Sequence, residues 1–184
     1  MIFQVAPAIE ALAKDAPKGA VMLLPESTLG RLDAGKYEFL LGLEDKLKAS
    51  KQVMLIGAEV TDADRPQGYK NGLVVLGEDS HRFIEQRVPV PVSMWRPWSS
   101  TGAKMDLAAS GVTSVAGLRA AVLVCYEQLL TFPAIVSTAS HPQTLLAASS
   151  AWWAKNTSIP KIQRSSVLAW ARLSQATPVL AVNF

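Results

Sequence analysis

The chain has 184 residues, of which 49% are hydrophobic and 18% are charged. This balance excludes intrinsic disorder, and the length suits one domain that buries most of its apolar surface. The formal net charge of +3 at pH 7 comes without a basic run, so we do not expect nucleic-acid binding.

Cys125 is the only cysteine, which excludes an intramolecular disulfide and argues against a thiolate zinc site. We therefore predict neither a metal nor a cofactor. The apolar runs have strand length, well short of the ~18–20 residues that a membrane span needs. The start of the chain lacks the pattern of a signal peptide, so the chain as given is expected to be soluble.

Short apolar runs alternate with longer amphipathic segments, which is typical of an α/β fold. The apolar runs show little polar alternation, and this favours strands that are covered on both faces. The predicted strands are Ala20–Leu24, Val53–Ala58, Gly72–Gly77, Arg82–Arg87, Arg119–Cys125, Thr144–Ala148 and Pro178–Val182.

Two helices are predicted between these strands. The first spans Tyr37–Ser50 with Asp33 as its cap, and the second spans about Ile159–Ala176 with Pro160 in its first turn. Gly72–Gly77 and Arg82–Arg87 are expected to form a hairpin. The proline-rich segment Val88–Trp98 is expected to be an ordered loop.

Cys125 follows an apolar strand and precedes polar residues, which places it where open α/β folds build their sites. The backbone N–H groups from Tyr126 onward can stabilise an oxyanion, and their partial positive charge is expected to lower the pKa of the thiol. The alternative is an inert buried thiol.

A second apolar strand ends in Pro25-Glu26. Partial burial raises the pKa of such a carboxyl group and suits it to act as a general base. The alternative is that Glu26 caps the loop or pairs with a surface cation.

Together, the strand before Pro25-Glu26 and the strand before Cys125-Tyr126-Glu127 resemble the nitrilase superfamily of carbon–nitrogen hydrolases. Further segments agree with this resemblance: Ile56–Glu59, Tyr69–Gly72, Ser149–Trp153 and Gln163–Asn183. The resemblance implies an αββα sandwich and a Glu, Lys, Cys triad that attacks amides. It therefore assigns Cys125 as the nucleophile and Glu26 as the base.

Within the superfamily, the chain is most similar to the TraB-type conjugal transfer proteins, on the segments Pro89–Trp98 and Cys125–Pro133. Their membrane spans precede this domain, so the resemblance implies the periplasmic side of the inner membrane if the chain is part of a longer protein. We expect residues 1–184 to form one carbon–nitrogen hydrolase domain that is incomplete at both ends.

The chain departs from the family at the lysine. Alignment of the family's Val-Pro segment with Val90-Pro91 puts Gln86 at the lysine position, beside Arg87. Either Arg87 supplies the positive charge from a shifted register, or the triad is incomplete. Arginine cannot donate a proton as lysine does, but it can stabilise an oxyanion.

Three residues are assigned to substrate binding: Tyr126, Glu127 and Trp152. For Glu127, an exposed ion pair is an equal alternative. The tryptophans at positions 95, 98, 152 and 153 either line an apolar pocket or pack onto the core. His81 and His141 lack metal-ligand partners and are expected at the surface.

Three functions follow. In the first, Cys125 forms an acyl-thioester from an amide or acyl substrate, a small molecule or peptide, and water or an amine resolves it. In the second, the chain is a non-catalytic assembly or interaction module of a conjugation apparatus. The third is a hydrolase that pairs Cys125 with His141. The oligomeric state stays open, with a homo-oligomer among the options.

Overall fold

The computed structural model describes residues 2–77, 82–154 and 156–183, with only the backbone described for residues 2–4. The helices are α1 (Ile2–Asp15), α2 (Ala34–Ala49), α3 (Thr131–Thr138) and α4 (Ile159–Ser174). The strands are β1 (Val21–Leu23), β2 (Val53–Asp62), β3 (Arg65–Gly77), β4 (Arg82–Glu85), β5 (Gly102–Ala103), β6 (Val112–Val115), β7 (Leu118–Val124), β8 (Thr144–Ser150) and β9 (Thr177–Asn183).

The strands form two sheets. The first has the order β1-β2-β3-β4, with β5 paired to β3, and the second has the order β6-β7-β8-β9. In the first sheet β1 runs parallel to β2, and in the second β7, β8 and β9 run parallel to one another. The carboxyl ends of β7, β8 and β9 therefore meet at one edge of the second sheet.

Three clusters of buried apolar residues pack four layers of secondary structure against one another, two of helices and two of strands. The central cluster joins β2, β3 and β4 to β6, β7 and β8, so the two sheets pack face to face. A second cluster packs α1 and α2 on the outer face of the first sheet. The third packs α3 and α4 on the outer face of the second sheet. This arrangement is the predicted αββα sandwich.

All seven predicted strands are present, and the hairpin between β3 and β4 has the expected antiparallel pairing. Its turn, with Glu78, Asp79 and His81, lies outside the described residues. Asp33 caps α2 as predicted, since its Oδ1 accepts a hydrogen bond from the Lys36 backbone N–H at 3.0 Å. No described helix is both long and apolar enough to cross a membrane.

Helices α1 and α3 and the short strands β5 and β6 were not predicted. Residues 125–129 and 152–154 form 3-10 turns just after β7 and β8. The loop predicted at Val88–Trp98 contains no helix or strand, in agreement with its prolines.

Candidate active site

Glu26 lies in the segment that follows β1. This segment crosses β2 at Gly57, where a Cβ atom would lie 2.2 Å from the Pro25 carbonyl oxygen and 2.5 Å from the Glu26 Cα. The close approach therefore requires glycine at position 57. It carries the Glu26 side chain inward, and that side chain is buried.

Cys125 follows the last residue of β7 and begins a 3-10 turn. Its φ angle is +49°, in the left-handed region that non-glycine residues seldom adopt. The Gln163 side chain of α4 donates to the Cys125 carbonyl oxygen at 3.2 Å, and Gln128 donates to the Ala148 carbonyl oxygen at 3.1 Å. These bonds hold the turn in place, and the Cys125 side chain packs in the central cluster between the sheets.

The Cys125 thiol lies beside the Glu26 carboxyl group, close enough for each to influence the other's titration, and both residues line one cavity. Glu26 Oε1 also accepts from Asn71 Nδ2 at 2.6 Å, and Oε2 accepts from the Ser150 backbone N–H at 3.2 Å. The backbone N–H groups of Ser150 and Tyr126 lie near the Cys125 sulfur. The structure thus brings together a buried thiol, a carboxyl group and two backbone donors.

Burial is the largest influence on the titration of this pair. Burial, reinforced by the neighbouring Glu26, raises the pKa of the Cys125 thiol well above its ordinary value. Burial also raises the pKa of Glu26, against the opposing effect of the neighbouring Cys125 thiol and of its hydrogen bond to Asn71. The predicted lowering of the thiol pKa is therefore wrong, because two backbone N–H groups do not offset burial beside a carboxyl group.

The pair faces a cavity of about 490 Å³, which we call the Cys125 cavity. No lysine or arginine is among the described residues that line it. The lining residues are Glu26, Ser27, Glu59, Tyr69, Val90, Ser93, Met94, Cys125, Ser150, Trp152 and Trp153. No described group of three or more His, Cys, Asp or Glu side chains is placed to hold a metal ion.

Gln86 is fully buried and forms part of an amide bridge behind the pair. Asn71 Nδ2 donates both to Glu26 and to Gln86 Oε1, the latter at 2.8 Å, and Gln86 Nε2 donates to the Val124 carbonyl oxygen at 3.0 Å. Gln86, which the sequence alignment predicts at the family's lysine position, therefore links the carboxyl group to the strand that carries Cys125. It supplies no charge.

Arg87 lies outside the Cys125 cavity. Its guanidinium is buried, with Nε 3.3 Å from Glu127 Oε1 and Nη2 2.7 Å from Ser137 Oγ, and it does not line the Cys125 cavity. Gly111 packs so closely that a Cβ atom there would lie 2.3 Å from Arg87 Nη1. This position gives no support to the predicted role of Arg87 at an oxyanion.

Glu127 is buried rather than exposed. Its Oε1 accepts from the backbone N–H groups of Arg87 and Val88, at 2.7 and 3.2 Å, and its Oε2 accepts from the Val124 N–H at 2.9 Å. Burial raises the pKa of Glu127, whereas Arg87 and these donors favour its carboxylate form. With every carboxyl oxygen engaged inside the protein, Glu127 is placed to support the turn rather than to contact a substrate.

Of the remaining residues predicted to act at the site, two tryptophans line the Cys125 cavity, whereas Tyr126 and His141 do not. Trp152 and Trp153 line the Cys125 cavity and are 68% and 53% exposed, so they do not pack onto the core. Tyr126 has its backbone N–H near the sulfur but does not line the cavity. His141 lies near the amino ends of β7 and β8, about 15 Å or more from their carboxyl ends, so a Cys125–His141 pair is excluded by the geometry.

Several residues of the site had been given no role from the sequence, among them Glu59, Tyr69, Asn71 and Ser150. All four lie in segments that carry the family resemblance. The resemblance could therefore have pointed to them, although nothing in their residue types would have.

No protein-family model matches the chain. The probable conjugal transfer protein TraB of Sinorhizobium fredii is 38% identical over 181 residues, which cover 94% of this chain and 45% of that protein. The conjugal transfer protein TraB of Agrobacterium fabrum is 36% identical over 169 residues, with 89% and 39% covered. The chain thus spans less than half the length of these curated relatives.

Solved structures of the nitrilase superfamily share the fold. A mutant of the amidase from Nesterenkonia AN1 superposes with a TM-score of 0.70 at 14% identity, over 99% of this chain and 71% of that one. Saccharomyces cerevisiae Nit3 gives a TM-score of 0.69 at 13% identity, over 98% and 68%. The chain therefore has the fold of the nitrilase superfamily and is a homologue of the conjugal transfer protein TraB.

Proposed function

We propose that the chain is the acyl-transferring or amide-hydrolysing part of a conjugal transfer protein, with Cys125 as nucleophile and Glu26 as general base. The single observation that carries this proposal is the placement of a buried thiol, Cys125, beside a buried carboxyl group, Glu26, at the wall of an open cavity. A merely structural cysteine does not need a carboxyl partner, and burying that carboxyl group is costly.

The chemistry follows from this arrangement. The Glu26 carboxylate removes the thiol proton as the Cys125 sulfur attacks the carbonyl carbon of an amide or ester. The leaving amine or alcohol then takes that proton from Glu26, and the carbonyl carbon stays bound to sulfur as a thioester. Water or an amine, deprotonated by Glu26, cleaves the thioester and restores the thiol.

Stabilisation of the oxyanion must come from neutral donors in this mechanism. The backbone N–H groups of Tyr126 and Ser150 lie near the sulfur and are the donors that we assign to the oxyanion, with the Ser150 N–H donating to Glu26 Oε2 in the resting site. The amidase from Nesterenkonia provides a parallel, since the acetamide moiety of fluoroacetamide adds covalently at its active-site cysteine in a Glu-to-Gln mutant. We carry the nucleophilic role over to Cys125 as part of the proposal.

One observation favours a second candidate. The described walls of the Cys125 cavity hold two carboxyl groups and no cation, and neutral Gln86 occupies the family's lysine position. A site that has lost its catalytic charge is expected in a module retained for assembly within a conjugation apparatus. Reactivity of the thiol separates the two candidates.

The test is the rate of iodoacetamide alkylation of Cys125 against pH, in the wild type and in Glu26→Gln. Because Cys125 is the only cysteine, every label reports on it. We expect Glu26→Gln to slow labelling by about tenfold or more near neutral pH, as for loss of a general base. Exposed Glu38→Gln on α2 serves as the matched control. Equal rates in the wild type and both variants would favour the assembly module.

A further inference from the structure

A second cleft adjoins the Cys125 cavity and has a different character. This outer cleft has a volume of about 350 Å³ and shares Glu59, Tyr69 and Ser93 with the Cys125 cavity. Its remaining walls are Arg31, Gln67, Arg96, Thr101 and Gly102. A molecule that fills both spaces would therefore have one part at the thiol and another beside two arginines.

Both arginine side chains are held by hydrogen bonds to backbone carbonyl oxygens, and neither forms an ion pair with a described carboxylate. Arg31 Nη2 donates to the Gly68 carbonyl oxygen at 3.0 Å, and the guanidinium lies 5.3 Å from the centre of the Tyr69 ring. Arg96 Nε donates to the Val92 carbonyl oxygen at 2.9 Å. Within the described residues neither arginine has a carboxylate within 4.0 Å.

Each guanidinium also has spare donors. Arginine carries five N–H groups in a planar fork, and the anchoring bonds to carbonyl oxygens use only part of each fork. Such a fork matches the geometry of carboxylate and phosphate groups. The two side chains thus present free donors and positive charge at the same cleft.

The loop that carries Arg96 is built into the fold. Its Met94 carbonyl oxygen accepts from the Ala103 N–H of β5 at 2.8 Å, and β5 pairs with β3 at Gly68 and Tyr69. Gly102 lies so close that a Cβ atom would approach the Met94 oxygen to 2.4 Å. The position of Arg96 beside Tyr69 is therefore set by backbone contacts.

Glu59 is the one acidic residue among the described walls of the outer cleft. Burial raises the pKa of Glu59, which reduces the negative charge it carries, and Arg31 lies close enough to oppose this effect. The outer cleft therefore retains a net positive charge with Glu59 in either protonation state.

We propose that the outer cleft binds an anionic group, a carboxylate or a phosphate, of the substrate whose carbonyl carbon reaches Cys125. This inference rests on the proposed function and adds the class of substrate, an acyl compound with an acidic group a few bonds from the reacting carbonyl. Arg31 and Arg96 are then specificity-determining residues.

Competition with alkylation tests this substrate class. Succinamate carries an amide and a carboxylate, succinamide is its neutral analogue, and phosphonoacetamide provides the phosphonate arm. Each is titrated against iodoacetamide labelling of Cys125. We expect half-protection at a lower concentration of succinamate or phosphonoacetamide than of succinamide. The anionic compound that protects Cys125 at the lower concentration shows whether the outer cleft prefers a carboxylate or a phosphonate.

Arg31→Gln and Arg96→Gln should each reduce the preference for the anionic competitor by about two- to fivefold, as for loss of one exposed charge pair. Arg172→Gln on the exposed surface of α4 removes the same charge elsewhere and should leave the preference intact. Equal protection by the neutral and anionic compounds, or an equal change in all three variants, would overturn the inference.

A second measurement separates failure of the inference from failure of the proposed function. Calorimetric binding of succinamate and succinamide to Cys125→Ala does not depend on thiol reactivity. Tighter binding of succinamate that is lost in Arg96→Gln would support the anion site even if Glu26→Gln left labelling unchanged. Absence of a difference between the two ligands would contradict it, whatever the labelling shows.

Discussion

At the scale of single residues, the site has a carboxyl group and a thiol whose pKa values are both raised by burial. A resting thiolate is therefore disfavoured, and in the proposed mechanism proton transfer to Glu26 has to accompany attack on a substrate. The described walls of the cavity contain no cation, and Glu26 is oriented by the neutral amide bridge of Asn71 and Gln86 together with the Ser150 backbone N–H.

Charges placed within that bridge should shift the pH profile of Cys125 labelling in opposite directions. Asn71→Asp puts a second carboxyl group beside Glu26, which raises the pKa of Glu26 further and moves the midpoint of labelling to higher pH. Gln86→Lys puts a cation at the other end of the bridge and moves the midpoint to lower pH. We expect each midpoint to move by about one pH unit.

Gln86→Met, which removes the bridging hydrogen bonds without adding a charge, is the control for this pair of variants. A purely structural role for the bridge predicts slower labelling without opposite movement of the midpoints. Shifts of the same sign in Asn71→Asp and Gln86→Lys would therefore contradict the electrostatic coupling to Glu26.

At the scale of elements, the Arg87–Glu127 pair joins the end of β7, the turn after Cys125, the segment after β4 and α3. Glu127 binds the N–H groups of Val124 and Val88, while Arg87 reaches the Pro133 carbonyl oxygen at 3.2 Å. Both side chains are 1% exposed. The pair thus supports the backbone that holds Cys125 at its positive φ angle.

Glu127→Ala should lower the free energy of unfolding by about 3–5 kcal/mol, because it leaves the Arg87 charge buried without its partner. Lys46→Ala provides the comparison, since it breaks the exposed Lys46–Glu10 pair and should cost about 1 kcal/mol or less. Urea unfolding of the three proteins measures both values. A loss of stability in Glu127→Ala no larger than that in Lys46→Ala would show that the buried pair is dispensable.

The same elements show how far the sequence could lead. The strands that end at Glu26 and Cys125 were predictable because each is a short apolar run followed by polar residues. Helix α1 was missed because Pro7 lies inside it and lowers the helix propensity of that segment. The buried pairing of Arg87 with Glu127 was not predicted because it depends on tertiary contacts between residues 40 apart in the chain.

At the scale of the whole molecule, the burial of Glu26 between the two sheets links stability to pH. The pKa of Glu26 in the folded protein lies above its ordinary value of 4.5, so the folded state binds this proton more tightly than the unfolded chain. Stability from this group is present below the ordinary pKa and is lost as pH rises through the folded-state pKa. Above the folded-state pKa the ionised carboxylate therefore destabilises the fold relative to the protonated acid.

Glu26→Gln resembles the protonated acid and removes this dependence. We expect the variant to be more stable than the wild type at about pH 8 and the two proteins to converge at about pH 4. Urea midpoints across this range measure the difference, with Glu38→Gln as a surface control that should show no such trend. A stability difference between wild type and Glu26→Gln that stays constant with pH would mean that Glu26 does not change its protonation on folding. The general-base role would then lose its electrostatic basis, because a carboxyl group unperturbed by burial would not share its proton with the Cys125 thiol in the manner proposed.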